Sequence, residues 1–145
     1  MSGVPTVQRP VVATIAVVVR GDAVLLVQRA NPPDQFRWGF PGGKMEMGET
    51  VAEAAVRELA EETGVRADAA DVLTAIDSIG RDGDGAPRHH FVLIAVRCHF
   101  VSGEPVAADD ALDARWFAIA DLADDDSRLS RHVARVARLA VERTV

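Results

Sequence analysis

The segment 43–65 carries a spaced set of glutamates, Glu49, Glu58, Glu61 and Glu62. On a helix with 3.6 residues per turn, the last three lie on one side. Three carboxylates within one turn repel one another, and a divalent cation removes that repulsion. Mg²⁺ prefers oxygen ligands and usually keeps water and substrate phosphates among them. The spacing therefore predicts a metal platform suited to cleaving a phosphate anhydride, where metal ions neutralise phosphate oxygens and acidify water.

Acidic triplets on helices are more often solvated surface, so the surrounding residues decide between the two interpretations. A solvated face accounts for neither Gly43 nor the spacing of Glu49 and Arg57. Arg57 can hold a carboxylate in place through a bidentate contact. These flanking residues favour the metal platform.

The helix that carries the platform has recognisable ends. Thr50 followed by Glu53 is a capping box, which predicts a helix start. The helix is expected to run to about Thr63, with Gly64 as its left-handed C-terminal cap.

The remaining pattern predicts a layered domain of strands and two helices. Residues 1–10 are expected to form a loose arm, and residues 11–145 a single domain. A loop is predicted over 80–87. The predicted strands are 11–19, 23–28, 72–79, 90–100 and 115–119, and the second helix runs over 129–142 with Leu129, Val133, Val136 and Ala140 on one face.

Composition narrows the partners of the chain. With 145 residues and a net charge of −6, the domain is a poor partner for nucleic acid. The single cysteine, Cys98, excludes an internal disulfide and is typical of a reducing cytoplasm. The apolar run 11–19 is too short to span a bilayer, so no membrane association is expected.

At every defined position, the segment 43–65 resembles the Nudix box, in which Leu59 and Val65 fill the aliphatic positions. The lead-in 38–43 is also similar to that of the family. The resemblance implies an α/β Nudix fold, a mixed central β-sheet sandwiched between helices (α/β/α). It further implies Mg²⁺-dependent hydrolysis of a nucleoside diphosphate linked to another moiety, with Mn²⁺ as a substitute.

The resemblance also implies roles for single residues. Glu58, Glu61 and Glu62 are expected to bind the metal, foremost Glu58 and Glu62, and the Gly42 carbonyl is a further ligand. Arg57 orients a carboxylate. The supporting residues of the box are Gly43, Glu49 and Gly64, with Glu49 holding the loop or the surroundings of the metal.

Members of the family place the general base either in the box helix or in a later acidic loop. Here the later loop is 106–113, and its candidates are Asp109 and Asp110. The alternative is that both belong to a solvated turn.

Outside the box, the stretches 25–33, 38–44, 89–94 and 103–116 resemble a bacterial subgroup of ADP-ribose pyrophosphatase-like proteins. The first expectation is hydrolysis of ADP-ribose to AMP and ribose 5-phosphate. The alternative is a MutT-like nucleoside triphosphate pyrophosphohydrolase that releases diphosphate, and the third is a non-catalytic nucleotide-binding module.

Five side chains are candidates for contacts with a small nucleotide substrate, namely Arg29, Trp38, Phe40, Arg88 and His90. Arg29 suits a phosphate, although a surface salt bridge explains it as well. The two aromatic side chains can stack on a base, although such residues are more often core. A histidine on a strand is also commonly structural. A homodimer through a sheet edge or the N-terminal arm is compatible with the sequence.

Overall fold

The computed structural model describes residues 8–143, so most of the predicted N-terminal arm, residues 1–7, lies outside the described part of the chain. A short 3₁₀ helix, Ile119–Asp121, precedes the last helix. The elements in chain order are β1 (Val11–Arg20), β2 (Ala23–Arg29), β3 (Trp38–Gly39), β4 (Gly42–Lys44), α1 (Val51–Thr63), β5 (Arg66–Arg81), β6 (Pro87–Ser102), β7 (Ala111–Ala118) and α2 (Val133–Glu142).

The seven strands form one mixed sheet. β1 runs parallel to β6 along nearly its whole length, and every other pairing is antiparallel. β1 and β2 touch only at the end next to their turn. Beyond it, β4 pairs with β1 and β3 pairs with β2. The short strands therefore separate β1 from β2 on the side where the box begins.

Alternation along β1 distributes the core between two faces of the sheet. Ala16 and Val18 pack with Ala55 and Leu59 of α1, whereas Val17 packs with α2 on the opposite face. The predicted apolar face of α2 is buried at Leu129, Val133, Val136 and Ala140. A helix thus covers each face, which confirms the predicted α/β/α sandwich.

The predicted ends of α1 are confirmed. The Thr50 hydroxyl accepts a hydrogen bond from the Glu53 amide, and the Glu53 carboxylate accepts one from the Thr50 amide. A cap of this kind stabilises a helix by about 1 kcal/mol. Gly64 ends the helix at a φ of 73°, a left-handed conformation that glycine adopts without strain.

Several predicted bounds were wrong. β5 and β6 are longer than predicted, and the loop between them shrinks from 80–87 to 82–86. β7 begins at Ala111 rather than at residue 115. α2 begins at Val133 rather than at residue 129, because Leu129 pairs with Trp38 in an isolated bridge and His132 has a left-handed φ of 72°. The two short strands β3 and β4 were not predicted.

β5 is an outer strand, hydrogen-bonded to β6. Part of its other edge is covered by Arg143, whose guanidinium donates to the carbonyls of Val72 and Leu73. Pairing of this edge in a homodimer stays a prediction. Within residues 8–143, neither helix has the length and apolar character required to cross a bilayer.

Candidate functional site

A cavity of about 820 Å³ opens where β1 and β2 diverge. This volume falls in the range of roughly 300–1,000 Å³ that is usual for small-molecule sites. Its lining includes the charged side chains of Arg29, Lys44, Glu58, Glu62, Asp110 and Arg131. Of the predicted metal ligands, Gly42, Glu58 and Glu62 line this cavity together with Asp110 and Arg29, whereas Glu61 lies outside the lining.

Arg57 organises the carboxylates at the edge of this cavity. Its Nε and Nη2 donate to the two oxygens of Glu49 at 2.5 and 3.0 Å, a bidentate pair. Its Nη1 donates to Glu58 Oε1 at 3.0 Å and to Glu61 Oε2 at 3.2 Å. The Lys44 carbonyl accepts a further bond at 3.2 Å. One guanidinium thus connects β4 and the loop after it to three glutamates.

Glu49 is fixed from two directions. Besides Arg57, the amide of Glu46 donates to its carboxylate at 2.9 Å. The hydrogen bond from Arg57, and then that from the Glu46 amide, lower the pKa of Glu49 to about 2. Glu49 is therefore an ionised anchor for Arg57, and its supporting role in catalysis stays a prediction.

Gly43 explains why the box requires a glycine at its first position. A Cβ there would lie 2.6 Å from both Cδ and Oε1 of Glu58. The absence of a side chain lets the Glu58 carboxylate approach the backbone of β4. Burial raises the pKa of Glu58, although its contact with Arg57 opposes this effect.

Gly42 is required for a different reason. A Cβ at this position would overlap the carbonyl oxygen of Thr14 in β1. The Gly42 amide donates to Glu62 Oε2 at 3.3 Å. Gly42 therefore brings β4 close to β1 and holds one of the cavity carboxylates.

Glu62 is the most perturbed acid in the site. Burial, and then the negative charge of Glu58, raise its pKa to about 8, against the lowering effects of the Gly42 amide and Arg29. Two such carboxylates, both partly buried, favour a cation between them. Mg²⁺ is commonly held by one or two carboxylates together with phosphates and water, so the pair fits a divalent ion.

Glu61 is half-exposed and directed to Arg57. Over residues 8–143, the His, Cys, Asp and Glu side chains do not form a ready-made group of three metal ligands. Mg²⁺ commonly completes its coordination with water and substrate phosphates.

The loop with the two candidate bases is attached to the end of α1. The amides of Val106 and Ala108 donate to the carbonyls of Thr63 and Glu62 at 2.9 and 2.8 Å. Asp110 lines the cavity, and its carboxylate accepts a hydrogen bond from Asn31 at 3.3 Å. Asp109 has a strained φ of 54°, and its charge contributes to the raised pKa of Glu58.

The predicted substrate contacts differ in their positions. Arg29 lines the cavity and donates to the Pro33 carbonyl at 2.9 Å. Phe40 also lines it but is 7% exposed and belongs to the core beneath α2. Trp38 packs edge-on against Phe117, with ring centroids 5.0 Å apart. Its part in substrate binding stays a prediction.

Among the described residues, the cavity lining includes neither Arg88 nor His90. Arg88 is exposed and pairs with Asp82 at 3.4 Å. His90 is displaced by strand alternation, which directs successive side chains to opposite faces. Its neighbours His89 and Phe91 line the cavity. The pairing of Gly80 with His89 identifies the side of the hairpin that faces the cavity. The sequence prediction missed this pairing because both predicted strands were too short to include these two residues.

Similarity to known proteins agrees with this architecture. The ADP-ribose pyrophosphatase of Methanocaldococcus jannaschii is 37% identical over 113 residues, covering 78% of this chain and 64% of the relative. The putative 8-oxo-dGTP diphosphatase 2 of Mycobacterium tuberculosis is 42% identical over 110 residues, covering 75% and 74%. The crystal structure of a MutT NUDIX hydrolase from Burkholderia pseudomallei has a TM-score of 0.75 and 31% identity, covering 95% of this chain and 100% of its own.

The family model described as the NUDIX domain matches residues 9–137, which include every element of the sheet and α1. The box geometry, the sandwich and these relatives agree with that match. The chain belongs to the NUDIX family and is a Nudix hydrolase.

Proposed function

We propose that the protein hydrolyses the diphosphate bond of ADP-ribose, with Mg²⁺, to AMP and ribose 5-phosphate. The observation that carries the proposal is the single cavity shared by Glu58, Glu62 and Arg29 with a wall of aromatic and aliphatic side chains. A charged part suits the diphosphate, and an apolar part suits an organic group attached to it. The similarity to an archaeal ADP-ribose pyrophosphatase supports this substrate.

Nudix hydrolases generally need divalent metal ions. Glu58 and Glu62 would hold the ion, with Glu61 and the Gly42 carbonyl as further candidates. When bound, Mg²⁺ supplies charge neutralisation of the diphosphate and an acidified water. Arg57 keeps Glu58 in place, and Arg29 meets a phosphate oxygen through its guanidinium. Mn²⁺ has the same preference for oxygen ligands and is expected to substitute.

Asp110 is the first candidate for the general base, and Asp109 is the second. The support for Asp110 is its place in the cavity lining and its hydrogen bond from Asn31. Its carboxylate accepts the proton of the attacking water, whose oxygen then bonds to phosphorus as the bridging oxygen leaves.

A second substrate class is favoured by the similarity to the putative 8-oxo-dGTP diphosphatase 2. In that case the enzyme would cleave an oxidised purine nucleoside triphosphate to the monophosphate and diphosphate. The same carboxylates would serve both reactions, because each one breaks a phosphate anhydride.

A product assay separates these substrates. The purified protein is incubated with ADP-ribose, 8-oxo-dGTP or dGTP, with Mg²⁺, with Mn²⁺ or with a chelator, and products are resolved by ion-exchange chromatography. The proposal expects AMP and ribose 5-phosphate from ADP-ribose at the highest kcat/KM, and no turnover with the chelator. Faster release of diphosphate from 8-oxo-dGTP would replace the first substrate with the second. Metal binding without turnover of any compound would favour the non-catalytic module.

A further inference from the structure

The end of the β5–β6 hairpin presents two aromatic rings to the cavity. His89 and Phe91 lie two residues apart on β6, so their side chains share one face. Both line the cavity and both are partly exposed. Their ring centroids are 5.7 Å apart with an interplanar angle of 41°. The two rings form a continuous patch, named here the hairpin platform.

The opposite strand leaves space for this platform. Gly80 is the β5 partner of His89, and directly opposed residues share a face of the sheet. A Cβ at Gly80 would overlap the His89 ring. The ring therefore lies over bare backbone, in a position that any other residue at 80 would displace.

Deeper in the cavity the same face becomes aliphatic. Ile76 and Leu93 form the pair beyond Ser78 and Phe91, and Ile76 is 7% exposed in the core beneath α2. The aromatic part of this wall therefore lies at the solvent side, where a flat group of a ligand can enter. The guanidinium of Arg29 and the carboxylates of Glu58, Glu62 and Asp110 belong to other elements of the lining.

We propose that the hairpin platform stacks on the nucleobase of the substrate and so determines specificity. The proposal rests on the proposed function, and it adds the recognition of the base. A π face attracts a flat heteroaromatic ring, whereas ribose and diphosphate need hydrogen-bond donors and cations. His89 and Phe91 act on binding and contact no reacting atom.

The test uses the His89→Ala and Phe91→Ala variants of the full chain. With the best substrate, each variant is expected to raise KM by about tenfold, the size of one lost stacking contact, and to leave kcat within about twofold. The His99→Ala variant, at an exposed position on the same strand, serves as the control with unchanged kinetics. Thermal unfolding confirms that all variants are folded.

Product inhibition identifies which half of the substrate the platform binds. Inhibition by AMP should weaken by about tenfold in both variants, and inhibition by ribose 5-phosphate should not change. If inhibition by AMP and inhibition by ribose 5-phosphate weakened equally in the variants, the proposed role of the platform would be wrong. An unchanged KM would also overturn it. A rise in KM in the His90→Ala variant with none in His89→Ala would also overturn it.

Direct binding of AMP, measured by calorimetry, keeps this inference separate from the proposed function. If the wild-type protein turned over no substrate, the proposed function would fail. Loss of AMP affinity in the His89→Ala variant would still support the platform, and equal affinity in the two proteins would overturn it. The Gly80→Ala variant, which displaces the ring without removing it, is expected to weaken AMP binding in the same direction.

Discussion

The two sides of the cavity are constructed in different ways. The glutamates of the carboxylate side come from one contiguous segment, 43–65, and three of them, Glu49, Glu58 and Glu61, pair with Arg57. The hairpin side comes from residues distant from the box, which reach the cavity only through strand pairing. Chemistry common to a family can therefore be read from local spacing, whereas recognition of the substrate depends on tertiary structure.

The largest effect is expected from removing a charge on the carboxylate side. Glu58→Gln and Glu62→Gln should each lower kcat/KM by more than about 100-fold, because residues that only support a ligand already contribute about 10–100-fold. Both should weaken Mn²⁺ binding, measured by electron paramagnetic resonance. Glu142→Gln, at an exposed site on α2, is the charge-matched control. Undiminished Mn²⁺ affinity in both variants would contradict the assignment of the metal site.

The adjacent glycines should separate activity from stability. The added methyl group in Gly43→Ala would displace the Glu58 carboxylate. We therefore expect about 10–100-fold lower kcat/KM with a small change in Tm. The added methyl group in Gly42→Ala would overlap the backbone of β1. We therefore expect a loss of about 1–3 kcal/mol in the free energy of unfolding. Both variants are compared with the wild-type protein by steady-state kinetics and by thermal unfolding. A reversed pattern would show that Gly43 has no special relation to Glu58.

The two base candidates should differ by about 10²-fold or more, the usual contribution of general base catalysis. Asp110→Asn is expected to lower kcat strongly and Asp109→Asn weakly, because Asp110 lines the cavity. The measurement is kcat at saturating substrate and Mg²⁺. Near-normal kcat in both variants would remove the acidic loop from the mechanism and leave a glutamate of α1 as the base.

The smallest effect concerns stability away from the site. Asp71 accepts hydrogen bonds from Arg97 at 2.7 Å and Arg143 at 2.9 Å, and these lower its pKa. When folding lowers the pKa of a carboxyl group, that group stabilises the protein at pH values above its unfolded pKa of about 3.9. The stabilisation is lost as the pH falls through the lowered pKa of the folded state. Asp71→Asn should lower Tm by about 1–3 °C at pH 7, as expected for ion pairs that remain partly exposed to solvent. The difference should shrink below about pH 4.

Asp68→Asn, on the same strand and exposed, is the control for this change. Differential scanning calorimetry from pH 3 to 7 provides the Tm values. A constant difference between Asp71→Asn and wild type across this range would show that the ion pairs do not account for it.

The sequence predicted the elements that have strong local signals. The capping box at Thr50, the left-handed Gly64 and the spacing of the box determine α1 without reference to the rest of the chain. The sandwich followed from the resemblance to the family. β1 and β2 were also predicted, because strands buried in the middle of the sheet have nearly continuous apolar sequences.

Other features depended on distant partners and could not be predicted locally. The outer strand β5 alternates exposed and buried residues of small or polar type, which obscured its length. Leu129 follows the helical pattern but pairs with Trp38, so α2 begins later. His89 faces the cavity only because Gly80 lies opposite it, and the register that joins them is a property of the folded hairpin.

The most direct test of the division between chemistry and recognition is a comparison of kcat and KM for Glu62→Gln and His89→Ala with the best substrate. We predict that Glu62→Gln lowers kcat by more than about 100-fold with little change in KM, and that His89→Ala raises KM by about tenfold at nearly constant kcat. A result in which both variants change the same kinetic parameter would contradict the account.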